Sequence, residues 1–405
     1  MKKLEHKKTI IFFSIILVII TQASINLYTS FFFEISKHLN CSSKQIKLTL
    51  TAFFFGTGMP QLFYGILSDY YGRKKLLLLG LSIFCYACLW TYFSSSYSHL
   101  VISRFFQGLG IGVNLTLTRA IIKDSFHGIE YIRNNSYISS AFAISLGLSP
   151  VIGGKIAMYF SWQSAFLFLF FWGGALFFLL LIFLPETHRV EQHKTTLRHF
   201  FYLNLKKLPG FFKNRAFLFH FLGGFFSFCI LNAYTVMSPF LFQKTLGYSS
   251  LAYGYFTLLI ALSYFIGTIT NRTFIYKLGV KKMIQIGIFL IIGAGTSMLF
   301  LKLLFNAFNV YVILIPLTVA FFGQSLVWSN ASASALKDLG HIAALSSSVL
   351  VLFQQILTAV LSGFLAIPKE INQLPLAITI TALGLTSLII FKMSLWKGLK
   401  KQKTF

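Results

Sequence analysis

Apolar positions along the chain fall in long runs at near-even spacing. Twelve runs are separable, at approximately 9–33, 46–67, 76–94, 99–122, 136–159, 164–184, 216–237, 251–270, 282–301, 309–334, 342–366 and 374–393. Each is near the ~20 residues that a helix needs to cross the hydrocarbon core of a bilayer. The pattern therefore predicts an all-α membrane protein with twelve transmembrane helices in two six-helix bundles. Polar positions gather in the connections. The connection from Ser94 to Ser98 is short, as antiparallel neighbours require. The longest, Pro185 to Arg215, divides the runs into six and six. The expected domains are an N-terminal bundle over 1–188, a basic linker over 189–215 and a C-terminal bundle over 216–405.

Composition supports the same class. Of the 405 residues 56% are hydrophobic and 11% charged, whereas charged residues make up about a quarter of a soluble chain. The 48 Phe suit lipid-facing helix surfaces. The formal net charge of +26 would suggest nucleic acid on a soluble protein, but here the bases sit in short loops between apolar runs. With a cytoplasmic N-terminus, 26 bases fall on the cytoplasmic side and 7 on the other, with Arg104 and Arg119 inside helices. That asymmetry predicts cytoplasmic termini and contact with the bilayer but not with nucleic acid. The basic stretch Lys2 to Lys8 precedes a run too long for a signal peptide, which predicts a retained first helix. The four cysteines include Cys85 and Cys88 within one apolar run, where they read as packing residues and not as a metal site. No phosphate-binding G-x-x-x-x-G-K-[ST] and no His/Asp/Glu constellation is present, so the sequence predicts neither an enzyme nor a cofactor.

Four stretches carry the chemistry. The loop Gly65-Ile66-Leu67-Ser68-Asp69-Tyr70-Tyr71-Gly72-Arg73-Lys74-Lys75 holds one of only nine acids in the chain. Asp69 lies near the start of the third helix, where the helix dipole favours negative charge. A second copy, Asn271 to Lys282, keeps a glycine and trailing bases but has no acid. In the fourth run, Arg104 precedes Gln107 and Gly108, and a base inside a membrane segment is costly and functional by default. The same run ends on Arg119 and Asp124, candidates for charge pairing with the Asp69 loop. In the fifth, Pro150 breaks the hydrogen-bond ladder, while small residues at 145, 149, 153 and 154 admit another backbone.

Taken together, these motifs resemble the major facilitator superfamily. The G-x-L-x-D-x-x-G-R-K loop matches its cytoplasmic signature, and Arg104 with Gln107 and Gly108 resembles its helix 4 motif. Ser149-Pro150-Val151-Ile152-Gly153-Gly154 resembles the antiporter motif of drug:proton exchangers. Arg119 to Asp124 and Gly340 to Ser347 resemble stretches of the Bcr/CflA branch of drug exporters. The resemblance implies inverted three-helix repeats, a midplane cavity and alternating access. It implies a cytoplasmic gate of Gly65, Asp69, Gly72, Arg73, Arg119 and Asp124, with Arg104, Gln107 and Gly108 in coupling or binding. It also implies a monomer in a bacterial inner membrane that exports small, fairly apolar compounds in exchange for protons.

One departure matters: where the branch has an acid in helix 1, this chain has Asn26, which carries no proton. The alternative expectation is therefore uptake or exchange of a metabolite without proton coupling through helix 1. The remaining cavity candidates are neutral: Gln22, Asn26, Asn114, Asn232 and Gln354.

Overall fold

Long apolar segments in lipid must satisfy their backbone groups internally, and helices do so. The computed structural model describes residues 2–126, 128–187, 202, 206, 215–336, 343–369 and 372–402, and no strand occurs among them. Most of the linker expected at 189–215 lies outside the described residues, as do the side chains of the motif at 340–347.

The first half of the chain contains α1 (Lys2–Thr29), α2 (Phe32–His38), α3 (Ser43–Gly58), α4 (Gln61–Tyr71), α5 (Arg73–Tyr92), α6 (Tyr97–Ser125), α7 (Gly128–Tyr159) and α8 (Trp162–Phe183). The second half contains α9 (Arg215–Pro239), a π-helical turn over Phe240–Thr245, α10 (Ser250–Phe305), α11 (Val310–Leu336), α12 (Ala343–Leu365) and α13 (Leu374–Gln402). Helices α3 and α4 form one crossing, interrupted where Pro60 opens α4. At 1.5 Å per residue the 56 residues of α10 would span about 84 Å, far more than the ~30 Å hydrocarbon core. Gly279 resolves this: its φ of 77° and ψ of 159° break the helix into two crossings, 250–278 and 280–305. The result is twelve crossings, six in each half.

The two glycine breaks are internal counterparts. Gly72 between α4 and α5 has φ 98° and ψ 155°, close to the values at Gly279. A side chain is strained in this region of backbone space, so glycine is required at both reversals. The repeat extends into the helices. Tyr28 Oη meets Thr49 Oγ1 at 2.6 Å, tying the first crossing to the second. Tyr234 Oη meets Thr257 Oγ1 at 2.7 Å, tying the seventh to the eighth.

The halves meet along two seams. One is α7 against the first crossing of α10; the other is α3 and α4 against α12. Both seams use glycines where backbones approach closely. A Cβ on Gly154 would lie 2.6 Å from Leu251 Cα, and one on Gly254 would lie 2.8 Å from Pro150 O. On the other seam a Cβ on Gly65 would lie 2.6 Å from Ser348 Oγ, and one on Gly58 would lie 3.1 Å from Ile356 N.

Candidate functional site

Between the halves lies a cavity of about 560 Å³. Its wall contains Gln22 and Asn26 of α1, Asn114 and Thr118 of α6, Asn232 of α9, and Gln354 and Thr358 of α12. Its apolar surface mixes aliphatic side chains with the aromatic rings of Phe54, Phe142, Phe228, Tyr264 and Trp328. The Phe228 and Trp328 rings are 4.9 Å apart. All five amide candidates from the sequence therefore converge on one cavity.

The cavity opens at one end. Its wall reaches Arg119 and Lys123, both exposed, at the end of the molecule that also carries Arg73, Lys74 and Lys75. Towards the opposite end the halves close on one another. Tyr253 Oη donates to Thr29 Oγ1 at 3.5 Å, Thr51 Oγ1 donates to Ser362 Oγ at 3.1 Å, and Lys47 Nζ donates to Pro368 O at 3.0 Å. The rings of Phe32 and Phe240 are 5.7 Å apart across the same closure.

No carboxylate forms part of the cavity wall among the described residues. The acids among the described residues sit at the ends of the bundle. Glu130 pairs with Lys7 at 2.7 Å, joining α7 to α1 at the open end. At the closed end the half-buried Glu34 accepts from the Trp162 backbone N–H at 3.1 Å. Burial pushes this carboxyl above its ordinary range, against the opposing pull of that N–H and of His38.

The Asp69 loop forms an ion cluster at the open end. Arg73 is almost wholly buried and pairs with Asp69 at 2.5 Å and with Asp124 at 3.1 Å. Its guanidinium also donates to Ser68 Oγ. These pairs join α4, α5 and α6, all in the first half. Arg119 lies on the cavity wall.

The cluster has a further member that sequence reasoning passed over. The Glu186 carboxylate, just after α8, accepts from the backbone N–H groups of Arg73 at 2.9 Å and Lys74 at 3.1 Å. Gly72 at the N-cap of α5 has no side chain to bind these orphan donors, so Glu186 caps the helix from a distance. The signal lay in the sequence as an acid directly after the sixth apolar run, which returns to the side of the Asp69 loop. Glu186→Ala is expected to destabilise the protein by about 1–2 kcal/mol, a cap loss plus a dipole term. Glu186→Gln, which keeps one acceptor oxygen, should lose less. Thermal melting in detergent checks both; equal melting of all three proteins would contradict the cap.

Arg104 lies away from the cavity. Its side chain is fully buried, with the guanidinium 4.3 Å from the Tyr28 ring centroid and 4.2 Å from that of Phe53. Nη1 donates to Gln107 Oε1 at 2.5 Å and to Ser24 O at 3.2 Å, while Nε and Nη2 have no partner among the described residues. Gln107 Nε2 in turn donates to Thr91 Oγ1 at 2.7 Å. Aromatic faces and carbonyls replace a counter-ion here, since a desolvated cation over a ring gains ~2 kcal/mol or more. The cluster thereby ties α6 to α1, α3 and α5. Gly108 faces α3, where an added Cβ would collide with Phe53 O.

Helix α7 uses its small residues on two faces. Ser145 Oγ donates to Ile19 O at 2.9 Å and lies 3.1 Å from Ser149 Oγ, and Ser30 Oγ donates to Pro150 O at 3.0 Å. A Cβ on Gly153 would lie 2.7 Å from Leu27 O. This face packs on α1 within its own half. Gly147 and Gly154 face α10 of the other half.

A twelve-crossing bundle with a central cavity and two internally repeated halves is a carrier architecture, and comparison with known proteins gives the same answer. The Major Facilitator Superfamily profile matches residues 12–362. The chain is 26% identical to the bicyclomycin resistance protein homolog of Haemophilus influenzae, covering 98% of this chain and 99% of that protein. It is 25% identical to multidrug resistance protein D of Escherichia coli, covering 95% of each. Among solved structures, a D-xylose–proton symporter superposes with a TM-score of 0.75 at 15% identity, over 96% of this chain and 98% of that one. This chain, a multi-pass membrane carrier and not an enzyme, belongs to the Major Facilitator Superfamily and resembles its Bcr/CflA branch.

Proposed function

We propose that the chain exports small, fairly apolar compounds across a bacterial inner membrane by alternating access, in exchange for protons. The observation that carries this reading is the aromatic and amide-lined cavity between two halves, open at one end and closed at the other. The positive-inside rule puts the open, basic end in the cytoplasm with both termini, which makes this the state that loads substrate from inside. The resistance functions in the names of its relatives support the outward direction. Arg73, Asp69, Asp124 and Arg119, all on helices of the first half, then form the cytoplasmic gate region at the mouth. The N-terminal bundle, the basic linker and the C-terminal bundle act as 1–188, 189–215 and 216–405.

The test is accumulation of radiolabelled chloramphenicol in cells that lack their own exporters. Expression should lower accumulation several-fold, and a protonophore should restore it. Unchanged accumulation refutes export. Lowered accumulation that a protonophore leaves untouched refutes proton exchange.

One observation favours a second reading, in which the carrier takes up or exchanges a metabolite without proton coupling through α1. Asn26 stands on the cavity wall where a proton-carrying acid is expected, and no carboxylate among the described residues replaces it there. Accumulation that rises on expression is the result that this reading requires.

A further inference from the structure

The two halves follow one plan, but their matching ends are finished differently. Asn26-Leu27-Tyr28-Thr29 in α1 recurs as Asn232-Ala233-Tyr234-Thr235 in α9, and the two tyrosines make matching bonds to Thr49 and Thr257. Gly72 and Gly279 share one backbone geometry at the open end, and bases follow each of them. In the first half, Arg73, Lys74 and Lys75 stand beside Asp69, Asp124 and Glu186, so three acids balance three bases. In the second half, Arg272, Lys277, Lys281 and Lys282 flank Gly279 with no acid between them. All four are exposed, and none makes a hydrogen bond or ion pair among the described residues.

Control of topology asks only that bases lie on one side of the membrane. It does not account for the apolar side chains set among these four. Phe274, Tyr276, Leu278 and Val280 are all exposed, Tyr276 to 92%. Depth accounts for them. At 1.5 Å per residue Tyr276 lies about 39 Å along the helix from Ser250. That is past the ~30 Å hydrocarbon core and within the ~40–45 Å that includes the headgroups. Deeper in the bilayer the same two crossings expose Ile266 and Ile269, and Ile286 and Phe289, to lipid tails.

We propose that the reversal from Arg272 to Lys282 is a binding surface for anionic phospholipid headgroups in the leaflet at the open end. The lipid phosphate supplies from outside the chain the negative charge that Asp69, Asp124 and Glu186 supply in the first half. Four bases directly beside a membrane helix are enough to recognise anionic lipid, and their contacts to phosphate are charge-assisted hydrogen bonds. The Phe274 and Tyr276 rings suit headgroup depth, where aromatic side chains concentrate. A soluble acidic partner would use the bases alone. Apolar side chains continuous with the lipid-facing wall favour the membrane as the occupant. One reversal is thus held by the protein's own acids and the other by the bilayer. The inference is independent of what the carrier moves and in which direction.

The experiment titrates the purified full-length protein in dodecyl maltoside with fluorescent phosphatidylglycerol. Unlabelled phosphatidylglycerol, phosphatidylcholine, inorganic phosphate and polyglutamate compete. Phosphatidylglycerol should compete at least tenfold better than phosphatidylcholine. A base beside an anionic headgroup is worth roughly fivefold in affinity. Lys281→Gln combined with Lys282→Gln should therefore weaken binding of the labelled lipid at least tenfold. Lys74→Gln combined with Lys75→Gln removes the same charge from the matching reversal and should weaken it less than threefold. Both double variants should melt near the parent. In 0.5 M sodium chloride the parent itself should lose its preference for phosphatidylglycerol, because salt screens exposed charges; this arm decides the matter should a variant fail to insert. Equal competition by the two lipids, equal losses in the two double variants, or a preference that survives salt overturns the proposal. Polyglutamate that competes better than phosphatidylglycerol overturns it in favour of an acidic protein partner. Displacement of the lipid by millimolar phosphate overturns it in favour of a free-anion site.

Discussion

Gly108→Ala is expected to cost the protein its folded state more than its transport rate. Helices α3 and α6 cross with their backbones in contact, through a reciprocal pair of glycines. A Cβ on Gly108 would collide with Phe53 O, and a Cβ on Gly56 would collide with Phe105 O. Neither obstacle is a side chain that could rotate aside. The helices must separate, and adding a methyl group to a packed interior costs about 1–3 kcal/mol even where side chains can adjust. With rigid carbonyls on both sides, the loss should sit at or beyond the upper end of that range. Separation also pulls α6 from the Phe53 ring, over which Arg104 lies one turn earlier. The guanidinium would then lose one of the two faces that stand in for a counter-ion. Thermal melting and size-exclusion profiles in detergent check the expectation. A Gly108→Ala protein that melts with its parent would show that this crossing does not hold the half together.

What was legible in the sequence follows from physics that acts locally. Twelve apolar runs give twelve crossings because each helix satisfies its own backbone in lipid, whatever its neighbours do. Gly279 could be placed as a loop glycine because the bases beside it mark a membrane boundary. The convergence of Gln22, Asn26, Asn114, Asn232 and Gln354 was likewise readable, since neutral amides in apolar helices seek a polar cavity. What was not legible depends on depth and on distant pairs. Arg104 was expected to serve coupling or binding. The α6 wall of the cavity begins at Asn114, ten residues and about 15 Å further along the helix. At the depth of Arg104 the space is filled by the rings of Tyr28, Phe53 and Phe166. The Glu186 cap joins residues 113 apart in sequence, and no local pattern announces such a bond. The repeated Asn-x-Tyr-Thr was visible in the letters, yet only the matching tyrosine bonds give it meaning.

Gly154→Ala is expected to leave the fold intact and to move the conformational equilibrium. Its added Cβ would lie 2.6 Å from Leu251 Cα and 2.7 Å from Ser250 O, both backbone atoms of the other half. The contact belongs to the closed end, beside the Thr29 and Tyr253 pair. A clash made in only one of two states penalises that state alone, so about 1–3 kcal/mol of overpacking becomes a shift of roughly 5- to 150-fold towards the state that opens there. Labelling reads this directly. In a chain whose native cysteines are replaced by serine, Thr29→Cys lies behind the closure and should react slowly with a membrane-impermeant maleimide from outside. Adding Gly154→Ala should speed that reaction by at least fivefold, while the transport rate falls because the state closed at this end is depleted. Gly153→Ala, one residue away, supplies the contrast. Its Cβ would meet Leu27 O at 2.7 Å and Ser30 Oγ at 3.0 Å, both in its own half. That clash persists in either state, so it should lower the melting temperature without changing the labelling rate. Equal labelling in the two glycine variants would mean that the α7–α10 seam does not gate the closed end.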